Sequence, residues 1–536
     1  MPKIKINGKD IEVQEGTKIL EACLKNNIPV PYYCYHPGLS IAGNCRMCLV
    51  KVSTSKKLEA SCAFPCSEGM AIETECQEVQ AARKSVLEFM LVNHPIDCPI
   101  CDKAGECLLQ DYTYQYREGL SRVKKEDKVI RDTKDLGPTI KIWGNRCISC
   151  TRCVRFCEEI SGSAQLTIVN RGDHSVADVA PTVELDDPLS LNTVDICPVG
   201  ALISKDFLYQ SRVWYTAATE SICPSCSQGC NIKVTVLNNE VKRLEPRLNA
   251  DVNQYWMCDE GRLNYKYISS PKRLRTGKGT ARDFVREARS RIQKYGKTSF
   301  LGVASTYNTN EELYLFKKTM NALGIENISI FRHTRGEKRV FKNGFTIEAD
   351  GSPNTRGAEI VFGKGSEPES SDFKGIFVMN GIPNITEIPE WLKKTIAMCE
   401  YVALMDIMQN QLTEWAHALF PGAAFVEKEG TFVNRDGRIQ RIRKCLDASY
   451  PVQAEIEEGK SGLLTKQGTK ELSSPKGARP EIEILQEILI ELKVRERIIS
   501  AEGIFKEMSS EIDVFRGLDY GKVETQGIMI ETQTNI

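Results

Sequence analysis

The sequence predicts a multidomain α+β chain, and three observations carry that expectation. Its 536 residues exceed what a single hydrophobic core holds, so three to five domains are expected. Nineteen of its 21 cysteines lie before residue 260, mostly in C-x2-C pairs. Beyond residue 280 the cysteines thin out, and helical periodicity alternates with short apolar strands.

Composition narrows the class. Hydrophobic residues make up 41% and charged residues 26%, ordinary for a globular protein. Lys+Arg and Asp+Glu both number 71, so no basic excess points to nucleic acid or an anionic membrane surface. The longest apolar run, around 395–408, is broken by Glu400 and Asp406 and falls short of the ~20 residues of a membrane span. The opening Met1-Pro-Lys-Ile-Lys-Ile has no apolar core of a signal peptide. Disulfide scaffolds belong to small secreted chains, so these cysteines read as metal ligands in a reducing compartment, and a cytoplasmic iron–sulfur protein is expected.

Residues 1–78 form the first expected domain. Residues 3–14 alternate apolar and polar around Asn7-Gly8, a hairpin with a type I′ turn. Thr17 is the expected N-cap of a helix reaching Asn26 that buries Ile19, Leu20, Cys23 and Leu24. With strands at 49–53 and 71–74 this is the frame of a β-grasp ferredoxin. Its ligands are read as Cys34, Cys45, Cys48 and Cys62, spaced C-x10-C-x2-C-x13-C, holding [2Fe–2S]. Cys66 is the rival fourth ligand. Cys23 reads as a small buried hydrophobe, and Cys76 has no partner by spacing.

Residues 79–137 carry a helix over 78–93, with Val79, Ala82, Val86, Phe89 and Met90 at helical spacing, and a polar surface connection over 117–137. Between them lies His94-Pro-Ile-Asp-Cys98-Pro-Ile-Cys101-Asp-Lys-Ala-Gly-Glu-Cys107, where Pro95, Pro99 and Gly105 force turns that let four ligands converge. A zinc knuckle, or a histidine that merely ends the helix, is the competing reading. Among so many cysteine sets a His94/Cys98/Cys101/Cys107 [4Fe–4S] cluster is preferred. A neutral imidazole in place of a thiolate removes a negative charge and favours the reduced cluster.

Residues 138–214 hold Cys147-x2-Cys150-x2-Cys153-x3-Cys157 and, far downstream, Cys197-Pro198. In two-cluster ferredoxins the last cysteine of the run, followed by proline, ligates the other cluster. Here proline follows Cys197 and not Cys157. A fold that kept one [4Fe–4S] cluster on Cys147, Cys150, Cys153 and Cys197 is expected. Residues 215–271 hold Cys223-x2-Cys226-x3-Cys230 and, after 27 residues, Cys258, around a hairpin turning at Asn238-Asn239. Zinc fits this spacing too, but its place after three iron–sulfur sets favours a third [4Fe–4S].

A basic linker is expected at 271–279. Residues 280–445 then read as a small parallel sheet, with helices at 281–294 and 310–323 and strands at 300–304, 359–362, 375–379 and 401–405. Gly363-Lys-Gly365 and Gly277-Lys-Gly-Thr280 read as turns and not as nucleotide loops. In 446–536 a linker is expected over 446–480, then an amphipathic helix over 480–493 packing on its own domain, then a tail.

Taken together, the order of these sets resembles the family of the large iron–sulfur (G) chain of bacterial complex I, NADH-quinone oxidoreductase. The His94–Cys107 motif and Cys197-Pro-Val-Gly-Ala-Leu202 match that family nearly residue for residue. Weakly, 425–440 resembles a molybdopterin-oxidoreductase motif, although the α/β part is much shorter than a pterin-binding domain. The resemblance implies one [2Fe–2S] and three [4Fe–4S] clusters, no molybdopterin and no substrate-turnover site. It implies electrons passing from NADH and FMN toward quinone, with the flavin subunit and other iron–sulfur subunits of complex I as partners. Residence is expected to be peripheral, on the cytoplasmic side of the inner membrane, without direct membrane insertion. The alternatives share the front end: a subunit of an NAD-linked formate dehydrogenase, of an [FeFe]-hydrogenase, or a stand-alone diaphorase adaptor. The first two need further active-site cysteines, and only Cys399 and Cys445 lie downstream of Cys258.

Overall fold

A computed structural model describes residues 1–116, 122–363, 368, 372–383, 388–448 and 477–530. The chain forms two compact units: Met1–Thr216 with Phe341–Phe345, and Ala217–Val340 with Thr346–Ile536.

In the first unit the strands Lys3–Ile6 and Lys9–Glu12 pair antiparallel. Asn7 and Gly8 both take positive φ (49° and 82°), as a type I′ turn requires. Lys3–Ile6 also pairs in parallel with Ala71–Glu73, which continues to Leu49–Val52 and Glu59–Ala60, giving a five-stranded mixed sheet. Ile4, Ile6, Val50, Val52 and Ile72 bury one face of that sheet with Ile19, Leu20, Ala22 and Cys23 of the helix Ile19–Lys25. The β-grasp expectation matches this arrangement, with two corrections. Lys18, not Thr17, is the N-cap, because Glu21 reaches back to the Lys18 amide while Thr17 is buried and its carbonyl accepts from the Cys66 amide. Leu24 is exposed, one position off the buried stripe.

The helix Gln77–Leu91 buries Val79, Arg83 and Leu87, spaced four apart, and leaves Phe89 80% exposed. Its buried stripe therefore departs from the expected one beyond Val79. Arg83 anchors it, donating to Glu75 and the Tyr116 hydroxyl and lying over the Tyr116 ring. Of the polar connection, 117–121 lie outside the described residues, and Thr133–Asp135 forms a strand beside Ile140–Trp143. Leu202–Ser204 completes that three-stranded sheet. Residues 341–345 join the same unit, where Lys342 donates to the Glu158 carbonyl.

The second unit begins with a three-stranded antiparallel sheet, Ala217–Ile222, Asn231–Leu237 and Glu240–Pro246, turning at Asn238 and Asn239 with φ of 52° and 60°. A five-stranded, wholly parallel sheet follows in the order Ile328–Phe331, Phe300–Ser305, Gly375–Met379, Tyr401–Asp406, Ala418–Pro421. Capping boxes at Thr280/Asp283 and Thr309/Glu312 start the helices Ala281–Tyr295 and Asn310–Leu323. Phe284, Phe316, Phe377 and Phe420 fill the core.

Four expectations change here. Residues 359–362 are the end of a helix, Thr355–Phe362, and not a strand. The basic stretch 271–279 is no free linker: Arg273 is buried and bonds the Ile407 and Gly422 carbonyls and, at 2.6 Å, the Glu427 carboxylate. The expected tail belongs to the core, where Phe505, Met508, Phe515 and Tyr520 pack, and Ile528–Met529 pairs with Arg438–Ile442. Leu446 and Ala448 are buried too; of the expected linker, 449–476 lie outside the described residues, as do Lys364 and Gly365. The amphipathic helix Glu481–Glu491 packs, as expected, in its own unit's core. Among the described residues no helix is long and apolar enough to cross a membrane.

Candidate metal centres

Most thiols of the expected ligand sets are removed from water by the fold. In the first set Cys34 lies beside Cys45 and Cys62, and Cys48 lies beside Cys62. Cys34 and Cys48 are thereby held below the usual thiol range, and Cys45 and Cys62 above it. All four are buried. Cys66 is not among them. It faces Cys23 and Glu21, and burial raises it.

In the second set Cys98 is exposed and neighbours Cys101, which neighbours Cys107. His94 follows the C-terminal end of the helix Gln77–Leu91, and its buried Nδ1 finds no hydrogen-bond partner. Burial, aided by Arg146, holds the ring down at about 4, so it is neutral. Arg146 itself is 2% exposed, stacks on Trp143, bonds Asp97 at 2.8 Å and stands beside both His94 and Cys101.

In the third set burial raises Cys147, Cys150 and Cys153, and all three neighbour Cys197. Cys197 also neighbours Cys107 of the second set, and the Leu108 amide bonds the Pro198 carbonyl. Cys157 turns toward Leu166, Ser163 and Asp187, although Cys153 still feels it.

The fourth set, in the second unit, is fully buried: Cys223, Cys226, Cys230 and Cys258 raise one another beyond what burial does. Arg335, which donates to the Ser225 carbonyl, opposes the rise at Cys223, Cys226 and Cys258.

One local device recurs across the sets. The backbone amide two residues on points at the sulfur of Cys45, Cys101, Cys107, Cys147, Cys150, Cys223 and Cys226. The Gly261 amide does the same for Cys258 at 3.3 Å. Such N–H···S bonds favour thiolate, the form that ligates metal, and tune a bound cluster. A buried imidazole with a free nitrogen and rings of thiols met by amides fit iron–sulfur clusters. Among the described residues no three His, Cys, Asp or Glu side chains form a single metal ion's shell.

The leftover thiols have bland surroundings. Cys399 lies against the apolar cluster that holds Leu392 and Ile396, and burial pushes it and Cys445 up to about 12. Sequence reasoning missed Arg146, Arg152, Arg155 and Arg335, because their partners lie far along the chain.

Comparison with known proteins follows the same order. Family models match residues 2–77 (2Fe-2S iron-sulfur cluster binding domain), 83–119 (NADH-ubiquinone oxidoreductase-G iron-sulfur binding region) and 137–203 (NADH-quinone oxidoreductase subunit 3, ferredoxin-like domain). Two more match 216–270 (Molybdopterin oxidoreductase Fe4S4 domain) and 342–453 (Molybdopterin oxidoreductase). The G chain of the NADH-quinone oxidoreductase of Rickettsia conorii is 38% identical over 338 residues, 62% of this chain and 50% of that protein. The NADH-ubiquinone oxidoreductase 75 kDa subunit of Reclinomonas americana is 40% identical, covering 61% and 49%. A chain from the crystal structure of an NAD+-reducing [NiFe]-hydrogenase is 29% identical, with a TM-score of 0.36, covering 40% of this chain and 91% of that one. The chain spans about half the length of the curated relatives it matches. Over residues 2–270, in domain order and in sequence, the resemblance to the family of the large iron–sulfur chain of NADH-quinone oxidoreductase is borne out.

Proposed function

We propose that the chain is an electron-transfer subunit of an NADH:quinone oxidoreductase, complex I. It holds one [2Fe–2S] cluster on Cys34, Cys45, Cys48 and Cys62. It holds three [4Fe–4S] clusters, on His94/Cys98/Cys101/Cys107, on Cys147/Cys150/Cys153/Cys197 and on Cys223/Cys226/Cys230/Cys258. The observation that carries the reading is the place of Cys197, which neighbours the thiols of its own set and Cys107 of another. Two centres sharing such a border are neighbours, as a conduit requires.

When bound, the clusters accept and release single electrons. The chain's own residues hold the thiolates, direct amides at several of their sulfurs and shield most of them from water. The set boundaries follow the expected domains: 1–78, 79–137, 138–214 and 215–271, with the α/β part over 280–445. Partners are the flavin- and NADH-binding subunit and further iron–sulfur subunits, at the cytoplasmic face of the inner membrane. No molybdopterin is proposed, because Cys399, which packs against apolar side chains, and Cys445 are the two thiols downstream of Cys258, and burial holds both in the protonated form.

Anaerobic purification tests this. Metal analysis should find about 14 irons per chain and no molybdenum. The chain should co-purify with a flavoprotein and membrane subunits. Stoichiometric molybdenum, or formate oxidation by the isolated chain, would replace this reading with the formate dehydrogenase one.

A further inference from the structure

Two arginines of the short helix Arg152–Phe156 lie between the first and third cysteine sets of the first unit. Arg152 is 6% exposed and Arg155 is 7% exposed. Arg155 donates from Nη2 to the carbonyl of Cys34, at 2.5 Å, and to that of Cys150, at 3.4 Å. Its Nη1 reaches the Ser40 carbonyl, and Nε the Thr151 hydroxyl. Arg152 donates to the Tyr35 carbonyl at 2.6 Å and the Ile196 carbonyl at 3.0 Å, next to Cys34 and Cys197. Its Nε is buried and has no hydrogen-bond partner.

The fork of each guanidinium thus ties a ligand loop of one set to a ligand segment of the other. Neither arginine forms an ion pair among the described residues. Glu159, the nearby carboxylate, is engaged by the Ser40 amide and hydroxyl instead. A buried charge without a counter-charge is strongly unfavourable. Two of them, side by side, call for an anion that the side chains do not supply.

We infer that Arg152 and Arg155 are the shared counter-charge and the mechanical tie of the clusters on Cys34/Cys45/Cys48/Cys62 and Cys147/Cys150/Cys153/Cys197. This rests on both sets binding clusters. A cluster held by four thiolates is a net anion, and reduction adds one more negative charge. Two nearby cations favour that reduced form in both clusters and raise both midpoint potentials together. These are positioning residues, acting through the clusters and touching no substrate.

Redox titration of the purified complex, followed by electron paramagnetic resonance, tests it with the single variants Arg152→Gln, Arg155→Gln, Arg152→Lys and Arg155→Lys. Each Gln variant should lower both potentials. The expected size is about a tenfold change in the reduced-to-oxidised ratio at fixed potential, 59 mV for one electron. The Lys variants should keep the potentials, because they keep the charge, while losing the bidentate tie and weakening the magnetic interaction between the two reduced clusters. Loss of iron confined to the Gln variants also supports the counter-charge. Unmoved potentials in both Gln variants, movement of one cluster only, or equal iron loss in Lys and Gln variants would overturn it. Iron missing from these sets in the unaltered protein would refute the cluster reading itself.

Discussion

Gly200 lies against Cys101 so closely that a Cβ at residue 200 would stand 2.2 Å from the Cys101 sulfur. The turn that follows Cys197-Pro198 therefore presses bare backbone onto the second ligand set. No side chain fits there, and Cys101 cannot withdraw without leaving its neighbours Cys98 and Cys107. Gly200→Ala should cost the His94-set cluster, seen as about four irons fewer per chain and loss of its resonance signal. The first set, which Gly200 does not touch, should keep its own signal. Full iron content in the variant would refute this.

His94→Cys should leave a cluster in place and lower its midpoint potential. A thiolate adds a negative charge where a buried, neutral ring now stands, and that charge favours the oxidised form. NADH-to-quinone transfer through the complex should slow. An unchanged potential in a redox titration would sink the argument.

Cys62 and Cys66 separate cleanly. Cys62 lies beside both Cys34 and Cys48, whereas Cys66 faces Cys23. Cys62→Ser should abolish the [2Fe–2S] absorption and resonance signals, and Cys66→Ser should leave both within experimental scatter. The reverse result would transfer the fourth ligand to Cys66.

Glu311 makes the second unit sensitive to pH. Its carboxylate is fully buried and accepts from the Thr431 amide and hydroxyl and from the Tyr520 hydroxyl. Burial outweighs those bonds and pushes its pKa up from 4.5 to about 7. A carboxyl whose folded pKa is raised stabilises the fold most below its unfolded value. That advantage fades as pH climbs from about 4.5 through 7, by on the order of 3 kcal/mol in total. Glu311→Gln keeps the shape and removes the proton, so calorimetry of the variant should lose this part of the slope. An unaltered pH dependence of unfolding would contradict it.

The grouping of the cysteines into candidate sets was legible because their spacing is local: many neighbours within a set lie three or four residues apart, and turns brought by Gly and Pro are written beside them. The two Asn-containing hairpins were legible for the same reason, since positive φ at residues 7, 8, 238 and 239 is a property of those residues. What failed depends on distance. Residues 359–362 look like a strand on β-branched and aromatic content, yet they close a helix whose Gly357 lies against the side-chain oxygens of Asn310 and Asn354. Arg273 reads as a linker charge until Glu427, 154 residues later, supplies its partner. Arg155 carries no signal in the sequence until Cys34 and Ser40 are placed beside it.

The strand Ile528–Met529, paired with Arg438–Ile442, sets an order on biosynthesis. The Thr525 and Gln526 carbonyls bond Arg247 and Asn249, so the segment leading to Cys258 is tied to backbone made some 278 residues later. Synthesis runs from the N-terminus, so the first three cysteine sets leave the ribosome while much of the second unit is still untranslated. The fourth set must wait for its closing strand. Iron–sulfur loading should therefore be sequential, with the Cys223 set filled last, and a ribosome stalled far enough downstream for residue 345 to have cleared the exit tunnel should display a chain whose first unit is complete and loadable.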